Sequence, residues 1–276
     1  MYSGWLLTDF SGAIMGAHQR IDRIARRNLR NLGVPISQFP TARQILHFEG
    51  KNGPDGVKKK SPGRDEPAHF CDPANDKDSE LPRIIENHYN RLVQNLKKNN
   101  MEGAAFEAAW LAHAIVDGLT PAHHFQYEEK VEILRGESKE SRNSFKNKVF
   151  IKGTNLPDTA KKNWAFWGPN GLFTQHYMFE FGVSTTMIFR RFQQFGPSHA
   201  EVLAAPLMDV KDLFVKAAEE VAALNLYDAH YQKGWTQKLA KTVRTELLPR
   251  VLNVVTLAWY KAMYDAGYIK QKEVKS

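Results

Sequence analysis

Apolar residues recur every three or four positions along most of this chain, and alternating strand patterns are scarce. That period predicts an all-α fold, a bundle of many helices. Ser11 is placed to cap a first helix running to about Asn31, with Gly33 and Pro35 as stop signals. Further helices are expected over about Leu81 to Lys98 and about Met101 to Gly118, the second ended by Gly118 and Pro121. Three more are expected over about 170–195, 198–225 and 236–266. Residues 51 to 80, rich in Gly, Pro, Lys and Asp, read as a loop region. The stretch 128–168 is polar and basic with a weak helical signal in its middle, and reads as a basic surface insertion. No repeat and no linker between two self-sufficient cores is visible, so residues 1–276 read as a single domain.

Composition adds a few limits. At 42% hydrophobic and 25% charged, the 276 residues can bury a sizeable core. No uninterrupted apolar stretch approaches the roughly 20 residues needed to span a bilayer. Met1 to Ile14 has no basic leading region and carries Asp9, so it does not read as a cleaved secretory signal; the sequence as written reads as cytoplasmic, the alternative being a leader outside this sequence. The single cysteine, Cys71, excludes an intramolecular disulfide framework and reads as a small buried hydrophobe. A net charge of +8 favours anionic partners such as phosphate esters, nucleic acid or anionic lipid headgroups.

The informative feature is where His, Asp and Glu fall on the expected helices. Phe106, Trp110, His113 and Asp117 share one stripe of the 101–118 helix, and such a stripe faces the core. Leu172, His176, Val183 and Met187 share a face of the 170–195 helix, with Glu180 four residues after His176. Ile14, His18, Ile21 and Ala25 form the inner stripe of the first helix. A buried unpaired carboxylate costs several kcal/mol unless a cation or hydrogen bonds compensate. One inward histidine is ordinarily a satisfied core residue. Two inward His-x3-Asp/Glu pairs place a nitrogen and an oxygen one turn apart, where both reach one ion, and zinc accepts both donors. A buried His–Asp hydrogen bond is the alternative for each pair alone.

Other polar positions complete the pattern. Pro121 stops a helix and His123 follows at once. Upstream lie Gly53-Pro54-Asp55-Gly56 and His69-Phe70-Cys71-Asp72-Pro73. In order along the chain stand Trp5, His18, Asp55, His69-Phe70-Cys71-Asp72-Pro73, His113-x3-Asp117-x5-His123 and His176-x3-Glu180. This ordered set, across about residues 5 to 180, resembles the zinc-dependent phospholipase C family, whose superfamily includes the fungal single-strand-specific nucleases.

The resemblance implies a cluster of two to three zinc ions in a cleft between helices. By it, Asp55, His69, His113 and Asp117 hold one zinc. His123, His176 and Glu180 hold a second, and His18 a third with Asp117 bridging. In the family the N-terminal Trp completes the third site through its free amino group and carbonyl. Here four residues precede Trp5, so its nitrogen is an amide. The implied reaction is phosphodiester hydrolysis by a metal-activated water, with Asp55 orienting or deprotonating it as the catalytic residue. Asp65 competes with Asp55 as the loop ligand, and His47 and His124 have no assigned role. The substrate is a phosphodiester, a phospholipid headgroup or a nucleotide, with peripheral contact to an anionic membrane surface as a further expectation and no stable protein partner implied. The other readings are a single-strand nuclease, a helical protein with structural zinc only, and a helical interaction protein without metal. The stretch between His123 and His176 is longer than in the small bacterial enzymes. Its Lys130, Arg135, Lys139, Arg142, Lys146, Lys148 and Lys152 read as a solvated loop, and Trp110, Trp164 and Trp167 as core.

Overall fold

Helix α5 (Met101–Gly118) has apolar residues on every side, and every side is covered. The computed structural model describes residues 1, 16–60, 69–75, 78–124, 127–138, 141–188 and 195–270, and these contain helices and no strand. Among them, no helix is long and apolar enough to cross a membrane. Ala104, Ala105, Ala108, Ala109 and Ala112 keep α5 thin, so its neighbours approach closely. Gly118 belongs to the same surface, because a Cβ there would run into the Phe214 ring.

Four helices surround α5: α1 (Ala17–Asn31), α2 (Ala42–His47), α4 (Glu80–Lys97) and α14 (Leu248–Asp265). The α4–α5 turn uses Asn99 in the left-handed region (φ 52°) and Asn100, whose side chain accepts from the Gly103 amide at 3.2 Å. Trp259 of α14 is fully buried, donates to the Ala108 carbonyl at 3.2 Å and packs on Phe39 at 5.3 Å. One continuous apolar cluster runs from Met1 and Ala17 to Met263. Cys71 lies in it, and burial pushes its thiol up to about 12.

The expected 81–98 and 101–118 helices stand within a residue of their expected ends. Other segments differ. Residues 51 to 80 are not all loop, because α3 (Pro54–Lys60) starts there on a proline at its first position. The 198–225 helix is broken into α10 (His199–Ala204), a tight turn at Ala205–Leu207 containing Pro206, and α11 (Val210–Ala222), capped by Asp209. Asn225 (φ 49°) then separates α12 (Leu226–Lys233). Helix α13 (Gln237–Thr242) joins α14 through a π turn at Val243–Leu247. Pro249 has no N–H for the Thr245 carbonyl, and the widened turn accommodates it. Ser11 and Ile14 of the first helix lie outside the described residues.

The stretch 128–168 is not a solvated loop. It forms α6 (Tyr127–Arg135), α7 (Phe145–Val149) and α8 (Leu156–Trp167), a layer over α9 (Leu172–Ile188) with its own small core of Tyr127, Val131, Ile151 and Phe166. Two of its basic residues are buried. The Arg135 guanidinium donates to the carbonyls of Asn147, Lys148 and Phe150, and Arg142 pairs with Glu128 at 2.6 Å. Trp164 and Trp167 are not core: they are 71% and 42% exposed. Trp110 is partly buried and stacks on Phe106 at 4.9 Å.

Trp259→Ala removes the largest fully buried side chain and the bond that its indole donates to the Ala108 carbonyl. It is expected to lower stability by about 3–5 kcal/mol. Urea unfolding followed by CD checks this, and an unmoved midpoint would refute the α5–α14 packing.

Candidate metal centre

The last turn of α5 carries His113 and Asp117 into the interior, where both side chains are almost fully enclosed. Asp117 is the hub. Its Oδ2 lies 2.5 Å from His69 Nδ1 and 3.2 Å from His113 Nε2. Its Oδ1 lies 3.2 Å from His18 Nε2, 3.8 Å from His123 Nδ1 and 2.6 Å from the α-amino group of Met1. The His18 ring, brought in by α1, stacks on His113 at 4.1 Å. Asp55 stands in the first turn of α3, with Oδ1 3.8 Å from His113 Nε2. Gly56 lets α3 sit this close, because a Cβ would collide with the Lys51 carbonyl.

A second group lies beside the first. Pro121 opens a short 3₁₀ turn, Pro121–His123, that swings His123 back toward α9. His123 Nδ1 faces the His69 carbonyl at 2.8 Å. A carbonyl only accepts, so Nδ1 carries the proton and Nε2 presents its lone pair. That nitrogen is 2.8 Å from Glu180 Oε1, which is also 3.1 Å from His176 Nε2. The buried stripe of α9 is Phe179, Val183 and Met187, rather than the expected Leu172-His176-Val183-Met187 face. His176 and Glu180 lie to one side of it, and each side chain is 13% exposed.

The donor atoms form three groups, each within 4.8 Å: Asp55, His69, His113 and Asp117; His123, His176 and Glu180; and His18, Glu49 and His113. Every expected ligand in the described residues is therefore drawn together, from segments up to 162 positions apart (180 − 18). Trp5 and Asp65 lie outside the described residues. The backbone amine and carbonyl that face His18 and Asp117 belong to Met1, whose carbonyl oxygen is 2.7 Å from His18 Nε2. His47 and His124 stay apart from the cluster: His47 packs on Phe48, and His124 donates to the Gly118 carbonyl at 2.7 Å.

Two carboxylates were not expected. Glu49 is buried beside α2, with Oε2 3.2 Å from His113 Nδ1. It fixes the ring so that Nε2 faces the cluster, the arrangement by which outer carboxylates orient metal-binding imidazoles. Asp22 stands one turn beyond His18 and is fully buried, with both oxygens lacking a hydrogen-bond partner. Burial and the nearby Glu49 charge push its carboxyl well up. The His18-x3-Asp22 spacing was the available signal for Asp22. Glu49 sits on no periodic stripe and gave none.

Charge follows the geometry. Burial works against ionised Asp117, but the Met1 ammonium and the imidazoles of His113 and His18 hold its carboxyl well below the usual range. Glu180 is likewise held well down against burial, by the Met1 ammonium and His176. Burial pushes His123 down to about 4, so it is neutral. His113 goes the other way: burial opposes its charge, but Glu49 and Asp117 raise it well above the ordinary imidazole value.

These side chains fit a metal ion. His113 Nε2 and Glu49 Oε1 are buried without a hydrogen-bond partner, and the donors are the nitrogen and oxygen atoms that divalent cations bind. Compared with protein-family models, with curated proteins and with solved structures, the chain matches none.

A bound cation needs the neutral imidazole of His113, whereas Glu49 and Asp117 keep that ring protonated without one. Cation binding at pH 7 is therefore expected to expel a proton from His113. Glu49→Gln lowers the raised value and so reduces the protons released per ion bound. Calorimetric zinc titrations in buffers of different ionisation enthalpy count those protons. An equal count in both proteins would refute the role given to Glu49.

Proposed function

We propose that the chain is a zinc-dependent phosphodiester hydrolase of phospholipase C type. The observation that carries this reading is the convergence of two complete imidazole–carboxylate groups beside one shared carboxylate, Asp117. Their order along the sequence is that of the zinc-dependent phospholipase C family. The donors are imidazoles and carboxylates with no thiolate, a set that zinc accepts in catalytic sites. The edge of the cluster also reaches water: the Asp55 side chain is 24% exposed. A structural zinc site is closed, and this one has an open side.

Asp55, His69, His113 and Asp117 would hold one ion, and His123, His176 and Glu180 another. His18 with Asp117 and a backbone amine and carbonyl offers a third position. When bound, zinc neutralises phosphate oxygens and lowers the pKa of water toward about 7. The protein's own contribution is orientation and proton handling. Glu49 fixes His113, the His69 carbonyl fixes His123, and Asp117 gathers four imidazoles on one carboxylate. Burial raises the Asp55 carboxyl, but His113 and the other imidazoles outweigh it and keep it ionised. It stands at the solvent edge, where it can orient the attacking water and accept its proton.

The test begins with metal analysis of the purified protein. Zinc is expected to co-purify, and phosphatidylcholine headgroup release is expected to stop with chelator and return with zinc. Asp117→Asn and His123→Ala are each expected to lower turnover by at least about hundredfold, with the helical CD signal largely kept. A parallel assay on single-stranded DNA separates lipid from nucleotide substrates. Undiminished turnover in either variant, or in metal-free protein, would remove this reading.

A further inference from the structure

We propose that the outward face of α8, with the adjoining α7 segment, docks on anionic lipid bilayers. Among the described residues, ten large apolar side chains are exposed, and five of them lie between residues 145 and 167: Phe145, Phe150, Leu156, Trp164 and Trp167. Exposed apolar groups scattered singly are ordinary, but clustered ones mark an interaction surface.

Helix α8 is turned inside out. At about 100° per residue, Leu156, Trp164 and Trp167 fall within an arc of about 80°. Leu156 is 85% exposed and Trp164 71% exposed, while Phe166 on another face is buried. The Trp167 indole N–H donates to the Val149 carbonyl at 2.7 Å, which pins the residue before Phe150 against the end of α8. That bond joins the two segments. Residues 145–167 carry an excess of positive charge, Lys146, Lys148, Lys152, Lys161 and Lys162 against the one carboxylate of Asp158, which pairs with Lys162 at 3.7 Å.

Exposed apolar side chains in a segment with this excess of lysine match an anionic bilayer. Tryptophan settles at the headgroup level, aliphatic groups enter the acyl boundary, and lysines meet the phosphates. Nucleic acid fits less well. Bases need flat partners to stack on, and Leu156, the most exposed of the five, has no such face. A second copy fits less well too, because a two-fold contact would set the same lysines against themselves. From the patch, ring contacts lead inward along α9: Trp167 to Phe173 at 4.5 Å, then Phe173 stacked on Tyr177 at 6.1 Å, next to His176. The docking proposal needs no metal and no catalysis, so it stands or falls apart from the proposed activity.

The test is sedimentation with vesicles of phosphatidylcholine alone or mixed with phosphatidylglycerol, in chelator. Wild type is expected to pellet with the mixed vesicles only. Leu156→Ser/Trp164→Ser and Lys146→Glu/Lys161→Glu are each expected to weaken binding by at least about tenfold with unchanged CD. Brominated lipids in the mixed vesicles are also expected to quench wild-type tryptophan fluorescence, a readout that needs no variant. The proposal is overturned if wild type stays in the supernatant, or if both double variants pellet as wild type does. It is equally overturned if the serine variant loses binding to a single-stranded oligonucleotide, or a concentration-dependent dimer, instead of lipid binding.

Discussion

One ionised carboxylate in the interior constrains much of this molecule. Asp117 is enclosed in protein, where an unpaired charge costs several kcal/mol. Its compensation comes from far apart in the sequence: the Met1 amino group, His18 on α1, His69 after α3 and His113 one turn earlier on α5. Those segments can meet only if α1 packs beside the C-terminal half of α5. The alanine surface of α5 permits that packing by keeping the helix narrow. Packing and charge therefore select the same arrangement, and α5 serves both.

The parts of the site legible in the sequence were those that obey a helical period. His113-x3-Asp117 and His176-x3-Glu180 each put two donors one turn apart, and a carboxylate on an inward stripe needs a reason to be there. His18-x3-Asp22 has the same spacing, yet only its histidine was singled out. Glu49 was out of reach. It follows the short helix α2 without any period, and its importance exists only once the fold brings His113 to it. For the same reason, spacing could not tell which group faces Met1.

The fold was legible where helices are long and bounded by clear stop signals, as in α4 and α5. It was obscured where short helices share a small core. Four buried apolar residues hold the layer of α6 and α8, too few to mark a period against so many lysines and glutamates. Trp164 and Trp167 misled for the opposite reason. Aromatics at helical spacing ordinarily point inward, and α8 points them out. Proline decided the rest, since Pro206 and Pro249 break or widen helices that apolar spacing alone would run straight through.

The segments that carry His69 and His123 are stitched to each other in both directions. The His123 ring donates to the His69 carbonyl, and the Cys71 amide donates to the His123 carbonyl at 3.2 Å. Each segment supplies a donor to a different ligand group. The gap between the two groups is thus set by main-chain bonds rather than by whatever occupies them. The two donor groups therefore stand side by side through bonds of the polypeptide itself. The spacing of the pair is a property of the folded polypeptide, inherited by any cations that enter it.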